Sequence, residues 1–208
     1  MTKKWIISLI LVIGLGGLLL IKFASVKHIP PPLDTGFVFP TAKPLSPFSL
    51  TDQFGQPFNN SHLAGKWSLI FLGYTSCPDV CPTTMAKLSA AFPTLNDESN
   101  LQVIFLSVDP ARDTPERLKQ YSAFYHPEFI ALTGEHKALL PFTRELGMVY
   151  AMVGEGADYQ VDHSASIVVI SPKGEKYAVF KPKSDGKNVP QILNQALIAD
   201  MQIIRNQF

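Results

Sequence analysis

Residues 67–73, Trp-Ser-Leu-Ile-Phe-Leu-Gly, carry no charge and show no alternation of polar and apolar side chains. A strand with one wet face alternates; a continuous apolar run of strand length is covered on both faces. The run therefore predicts a central strand over Trp67–Tyr74, packed between layers on either side. Directly after it come the two cysteines of the chain, within Tyr74-Thr75-Ser76-Cys77-Pro78-Asp79-Val80-Cys81-Pro82. A Cys-x-x-x-Cys pair at the end of a buried strand has three candidate chemistries: a disulfide, a redox thiol pair and a soft-metal site.

The neighbouring segments fix the fold class. Leu101–Val108 is a second buried-strand run, and between the two lies Thr83–Leu95, with Met85, Leu88, Ala91, Phe92 and Leu95 at helical spacing. Phe48–Phe58 reads as a hairpin turning at Gly55. Asp113 or Thr114 can cap a helix whose first turn holds Pro115 and Glu116. Phe129–Leu132 is a short strand, and Glu135–Leu146 a helix interrupted by Pro141 and ended by Gly147. Met148–Val153 and Gln160–Ile170 read as strands, Ser171–Gly174 as a hairpin turn, Lys176–Phe180 as the returning strand and Val189–Ile204 as a final helix. A βαβ half followed by a ββα half predicts an α/β, thioredoxin-like fold, a mixed sheet with helices on both faces, preceded here by a β-hairpin. That fold places a redox site after its first central strand, where the cysteines fall.

Pro82 is acceptable only in a first helical turn, so Cys77 is expected in the loop and Cys81 near the helix start. A helix N-terminus favours the thiolate, which is both nucleophile and metal ligand. Residues i and i+4 lie about 6 Å apart, a range open to a disulfide or to one small ion. A third group bears on the choice. His163, in Val161-Asp162-His163-Ser164, precedes the apolar run Ile167–Ile170, and in a thioredoxin-like fold the segment entering that strand faces the cysteine helix. Two thiolates and one imidazole suit Cu(I), with Cu(II) also open; structural zinc would want a fourth ligand. Met85, Met148 and Met152 are soft-ligand candidates, of which Met85 fits the apolar helix face and so a core position better, and Asp79 lies between the cysteines. His28, His62, His126 and His136 have no cysteine context and read as surface residues.

The N-terminus is read separately. Lys3 and Lys4 precede an uncharged run from Trp5 to Ile21, closed by Lys22. This is the short end of what spans a bilayer, and Phe23-Ala24-Ser25 makes a poor cleavage site. Residues 1–23 are expected to be a single transmembrane anchor, with a cleaved signal peptide as the alternative. Residues 24–46, rich in proline, are expected to be a semi-rigid spacer whose end packs as an edge strand, and residues 47–208 the folded domain. The simplest location is a bacterial inner membrane, with the domain in the oxidising periplasm, where a cysteine pair can become a disulfide. A net charge of +1 gives no electrostatic case for nucleic acid.

Thr75–Pro82, together with Ser107-Val108-Asp109-Pro110, Arg112-Asp113-Thr114-Pro115 and Val161–Ser164, resembles the Sco (SenC-like) copper-binding proteins that help assemble cytochrome c oxidase. The resemblance extends over roughly Pro47 to Gln207. It implies that Cys77, Cys81 and His163 are copper ligands, and that Asp109 and Asp162 are acidic positions near the site. It also implies a copper metallochaperone, not a turnover enzyme, serving the binuclear copper centre of the oxidase copper-binding subunit. A copper donor and a thiol reductant would be further partners. The alternative is a thiol–disulfide oxidoreductase acting on the oxidase cysteines through the same pair. A copper or redox sensor stays open. A peroxiredoxin-like site is disfavoured, because Tyr74 and Pro78 stand three residues before the cysteines where a Thr or Ser is needed.

Overall fold

The computed structural model describes residues 32–96, 100–184 and 190–208. The expected anchor, residues 1–23, lies outside the described residues, as does His28. Among the described residues no helix is long and apolar enough to cross a membrane.

Ten strands and four α-helices are described: β1 Gly36–Pro44, β2 Ser49–Asp52, β3 Pro57–Asn59, β4 Trp67–Gly73, α1 Val80–Leu95, β5 Leu101–Ser107, α2 Pro115–Tyr125, β6 Ile130–Thr133, α3 His136–Leu146, β7 Tyr150–Val153, β8 Gln160–His163, β9 Ile167–Ile170, β10 Glu175–Phe180 and α4 Asn194–Gln207. Eight strands form one mixed sheet in the order β1-β10-β9-β4-β5-β6-β2-β3, and β7 pairs with β8 in a separate antiparallel hairpin. The expected βαβ unit is present, with β4 parallel to β5 and antiparallel to β9.

Every residue of β4 and β5 is buried, as the unbroken apolar runs require. The side chains of β4 alternate between two cores. Leu69 and Phe71 face α1, α2 and α4 through Met85, Leu88, Leu118, Leu197 and Met201. Ile70 and Leu72 face α3 and the N-terminal hairpin through Leu139, Phe142, Leu50 and Phe58. Three helices thus cover one face and one helix the other.

Residues 36–44, within the segment read as a spacer, form an edge strand on β10, with a register shift between Val38 and Lys43. An edge position tolerates Pro40, which lies in the unpaired stretch of the register shift, and Pro44 at the end of the strand. The entry to β1 is tied down by Asp200 of α4. This buried carboxylate accepts hydrogen bonds from the Asp34 amide at 2.8 Å and the Thr35 amide at 2.7 Å. A row of register partners then crosses the sheet from Gly36 to Phe180, Ile167 and Phe71.

Three expectations are revised. The strand expected over Gln160–Ile170 is two strands in two sheets, broken at Ser164-Ala165-Ser166. Pro141 does not interrupt α3, which runs unbroken to Leu146 and ends at Gly147 with φ 79°. The lost Pro141 amide would have bonded the carbonyl of Lys137, an exposed position that water can serve. The last helix begins at Asn194, preceded by a bridge between Lys183 and Gln191.

Candidate metal and thiol site

β4 delivers the cysteine loop at the end of the sheet. The loop turns through a hydrogen bond from the Cys77 amide to the Tyr74 carbonyl at 3.2 Å. Cys77 is half-buried before the helix, and Cys81 is buried in the first turn of α1, next to Pro82. Gly73 makes room for this closure: a Cβ there would lie 2.6 Å from Cys81 Sγ and 2.7 Å from the Phe105 ring.

The loop is also held from outside. Asp113, wholly buried, accepts from the Thr75 amide at 2.9 Å, the Thr75 hydroxyl at 2.5 Å and the Ser107 hydroxyl at 2.6 Å. The Arg117 guanidinium donates to the Ser76 hydroxyl at 2.9 Å. The helix cap is taken by Thr114, whose hydroxyl accepts from the Arg117 amide, and this leaves Asp113 free for the cysteine loop.

His163 arrives from the other side, at the end of β8. On a strand alternate residues share a face, so His163 turns inward with buried Val161 while Asp162 is exposed on the opposite face. The break at Ser164–Ser166 lets the chain leave the hairpin and enter β9. It is fastened by the Ser164 amide donating to the Val149 carbonyl at 3.0 Å. His163 Nε2 lies 3.3 Å from Cys81 Sγ, while Nδ1 lies 3.1 Å from the Ser164 carbonyl oxygen. A carbonyl can only accept, so Nδ1 carries the proton and Nε2 presents its lone pair to the sulfurs. The Phe71 and Tyr74 rings pack edge-on against the imidazole, at centroid distances of 6.2 and 6.0 Å.

One ligand atom each from Cys77, Cys81 and His163 lies within 4.8 Å of the others. Among the described residues this is the one group of three or more His, Cys, Asp or Glu side chains so placed. Bonds of about 2.0–2.3 Å to one ion need donors roughly 3.5–4.5 Å apart, so small side-chain rotations suffice to close the set. Two sulfurs and a nitrogen, without a fourth partner, suit Cu(I) better than structural zinc.

The thiols are electrostatically unequal. Cys77 is lowered to about 3, chiefly by the hydrogen bond from the Cys81 thiol, against the effect of burial, with the backbone amides of Asp79 and Cys81 assisting. Cys81 is raised, by that same bond to Cys77 and by burial. The reduced pair therefore holds one thiolate, on Cys77, and one thiol, on Cys81.

The remaining candidates fall elsewhere. Met85 and Met148 are buried in the two cores, and Met152 is exposed on β7. Asp79 is exposed and makes no side-chain cap. His62 and His136 are exposed, whereas His126, expected on the surface, is half-buried against the rings of Phe92 and Phe129. Asp109 is wholly buried, but its carboxylate is occupied by Arg112 and the Tyr159 hydroxyl. Gly73 and Tyr159 are contributors the sequence did not single out, and Asp113, expected as a possible helix cap, instead holds the cysteine loop.

The SCO1/SenC family pattern matches residues 40–197. The chain belongs to the SCO1/SenC family. A SCO2-like protein of Rickettsia prowazekii is 35% identical over 193 residues, covering 91% of this chain and 94% of that protein. The copper-bound crystal structure of Arabidopsis thaliana ScoI superposes with a TM-score of 0.65 at 33% identity, over 77% of this chain and 98% of that one. BsSco, described with a disulfide switch as a member of the Sco family of cytochrome c oxidase assembly proteins, superposes with a TM-score of 0.57 at 25% identity, over 79% and 95% of the two chains.

Proposed function

We propose that this protein is a copper metallochaperone that holds copper on Cys77, Cys81 and His163 and assists assembly of the binuclear copper centre of cytochrome c oxidase. The observation that carries the reading is the convergence of two thiol sulfurs and Nε2 of His163 within 4.8 Å, with Nδ1 turned to a backbone carbonyl. That carbonyl fixes the tautomer and aims the free nitrogen, the usual outer support of a metal-bound imidazole. The copper-bound ScoI relative and the oxidase-assembly relative BsSco support the cargo and the destination. Copper is cargo here, bound to be passed on to the oxidase copper-binding subunit. Residues 1–23 are proposed as a membrane anchor that keeps the domain beside the oxidase in the periplasm. The Sco-family lipoprotein of Bacillus anthracis, 26% identical, supports membrane attachment as a theme among relatives.

Loading the reduced protein with Cu(I) and counting ligands by X-ray absorption tests the reading: two sulfurs and one nitrogen are expected. His163→Ala should remove the nitrogen and lower Cu(I) affinity by at least roughly tenfold. Exchange of the thiols with a small disulfide should stay largely intact. Equal loss of both activities, or of neither, overturns the ligand assignment.

A second reading, thiol–disulfide exchange, is favoured by the unequal thiols. Cys77 is half-exposed and ionised, and Cys81 is buried behind it as the resolving thiol. The Cys77 thiolate would attack an oxidase disulfide and form a mixed disulfide. Cys81 would then give up its proton and attack the Cys77 sulfur, leaving the partner dithiol reduced and this pair oxidised. A thiol reductant must restore the pair, and only the reduced form can take up copper.

A further inference from the structure

The hairpin β7–β8 that carries His163 is not part of the eight-stranded sheet, so no ladder to that sheet sets the height of its imidazole above the thiols. Something else must. The loop Ser107–Asp113, between β5 and α2, touches both halves of the site. At one end Asp113 grips Thr75 of the cysteine loop. At the other, Arg112 and Asp109 grip Tyr159, the residue just before β8. Nη1 of Arg112 donates to the Tyr159 carbonyl at 2.9 Å, the guanidinium lies 3.8 Å over the Tyr159 ring, and the Tyr159 hydroxyl donates to Asp109. Asp109 is wholly buried and bonded to Nε of Arg112. The loop is itself tight, with the amides of Arg112 and Asp113 both donating to the Asp109 carbonyl. Nη2 of Arg112 is buried with no hydrogen-bond partner, a donor given up to keep the guanidinium where it is.

We propose that the loop Ser107–Asp113 is a bracket that sets the spacing between the thiols and the His163 imidazole, with Arg112 as its positioning residue. It rests on the reading of His163 as a metal ligand. The bracket works because its two grips are only a few residues apart on one short loop anchored by the buried carboxylates of Asp109 and Asp113. The distance between Thr75 and Tyr159 is then fixed by rigid local geometry and not by the long chain path between them. Arg112 can do this where lysine cannot, since one planar fork serves Asp109, a carbonyl and a ring face together. Releasing it leaves the hairpin held near the site by the Tyr74 hydroxyl on the Gln160 side chain at 2.7 Å.

The test uses the full reduced protein. In Arg112→Ala without metal, backbone amides of residues 159–163 should exchange at least about tenfold faster, while those of β4 and α1 keep the parent rates. Cu(I) affinity, read by competition with a chromophoric chelator, should fall roughly 10–100-fold, and the nitrogen contribution to the X-ray absorption spectrum should drop. Combined with His163→Ala, Arg112→Ala should cost little more than His163→Ala alone, because both act through one imidazole. Should Arg112→Ala not fold, Arg112→Lys carries the same readouts, and Tyr159→Phe, which loses only the hydroxyl to Asp109, should show a smaller change. Arginine variants with unchanged nitrogen ligation and affinity, or additive losses in the double variant, overturn the bracket and leave the ligand reading standing. A parent protein with no nitrogen ligand overturns both.

Discussion

Replacing Gly73 with alanine tests the packing that seats Cys81. The added Cβ would lie 2.6 Å from Cys81 Sγ and 2.7 Å from the Phe105 ring, against about 3.4 Å for ordinary contact, so they must retreat by about 0.8 and 0.7 Å. Neither has space to retreat into, since Cys81 and Phe105 are both wholly buried. Nor can the backbone move easily, because Gly73 is paired with Ser107 and its carbonyl accepts from the Val108 amide at 3.0 Å. Overpacking of this kind costs about 1–3 kcal/mol, which lowers the melting temperature by roughly 2–12 °C in a domain of this size. A shift of that length on a sulfur now 3.3 Å from His163 Nε2 also mis-sets the donor triangle, and Cu(I) affinity should fall roughly 10–100-fold. Thermal denaturation of the reduced protein and Cu(I) competition read the two effects separately. A Gly73→Ala protein with the parent's melting temperature and affinity would refute the claim that this glycine exists to admit the sulfur.

Asp113→Ala should destabilise the reduced protein by about 2–4 kcal/mol in urea denaturation, because it strands the Thr75 amide and two hydroxyls around a buried cavity; a loss under about 1 kcal/mol would count against that role. In the reduced, metal-free protein, alkylation should strike Cys77 first, at a rate nearly flat between about pH 5 and 8, where an ordinary thiol rises about tenfold per pH unit. The folded Cys77 thiol ionises at lower pH than the unfolded one, so its contribution to stability is full above the ordinary thiol value of 9.0 and is lost as pH falls toward about 3. A rate that climbs like a free thiol's, or first labelling at Cys81, would contradict the assignment of the thiolate.

The central architecture was written locally. Trp67–Tyr74 and Leu101–Val108 announce buried strands through composition alone, and Pro82 and Pro115 mark helix starts because proline fits no later position as well. The three site residues were legible because cysteine and histidine are scarce and their chemistry narrow. The split between β8 and β9 was not, since Ser164-Ala165-Ser166 contains neither glycine nor proline to punctuate it. That break is decided by which sheet each half pairs with, a long-range matter. Gly73 and Tyr159 were invisible for the same reason: each matters through one contact distant in sequence, with Cys81 Sγ and with the Asp109–Arg112 pair.

The row of partners from Gly36 through Phe180 and Ile167 to Phe71 has a mechanical meaning. It puts the doorway of the domain, secured by Asp200, on the same rim as the cysteine loop that leaves β4 two residues beyond Phe71. The chain therefore enters the folded domain at its working end, beside the thiols, and not at the opposite rim of the sheet.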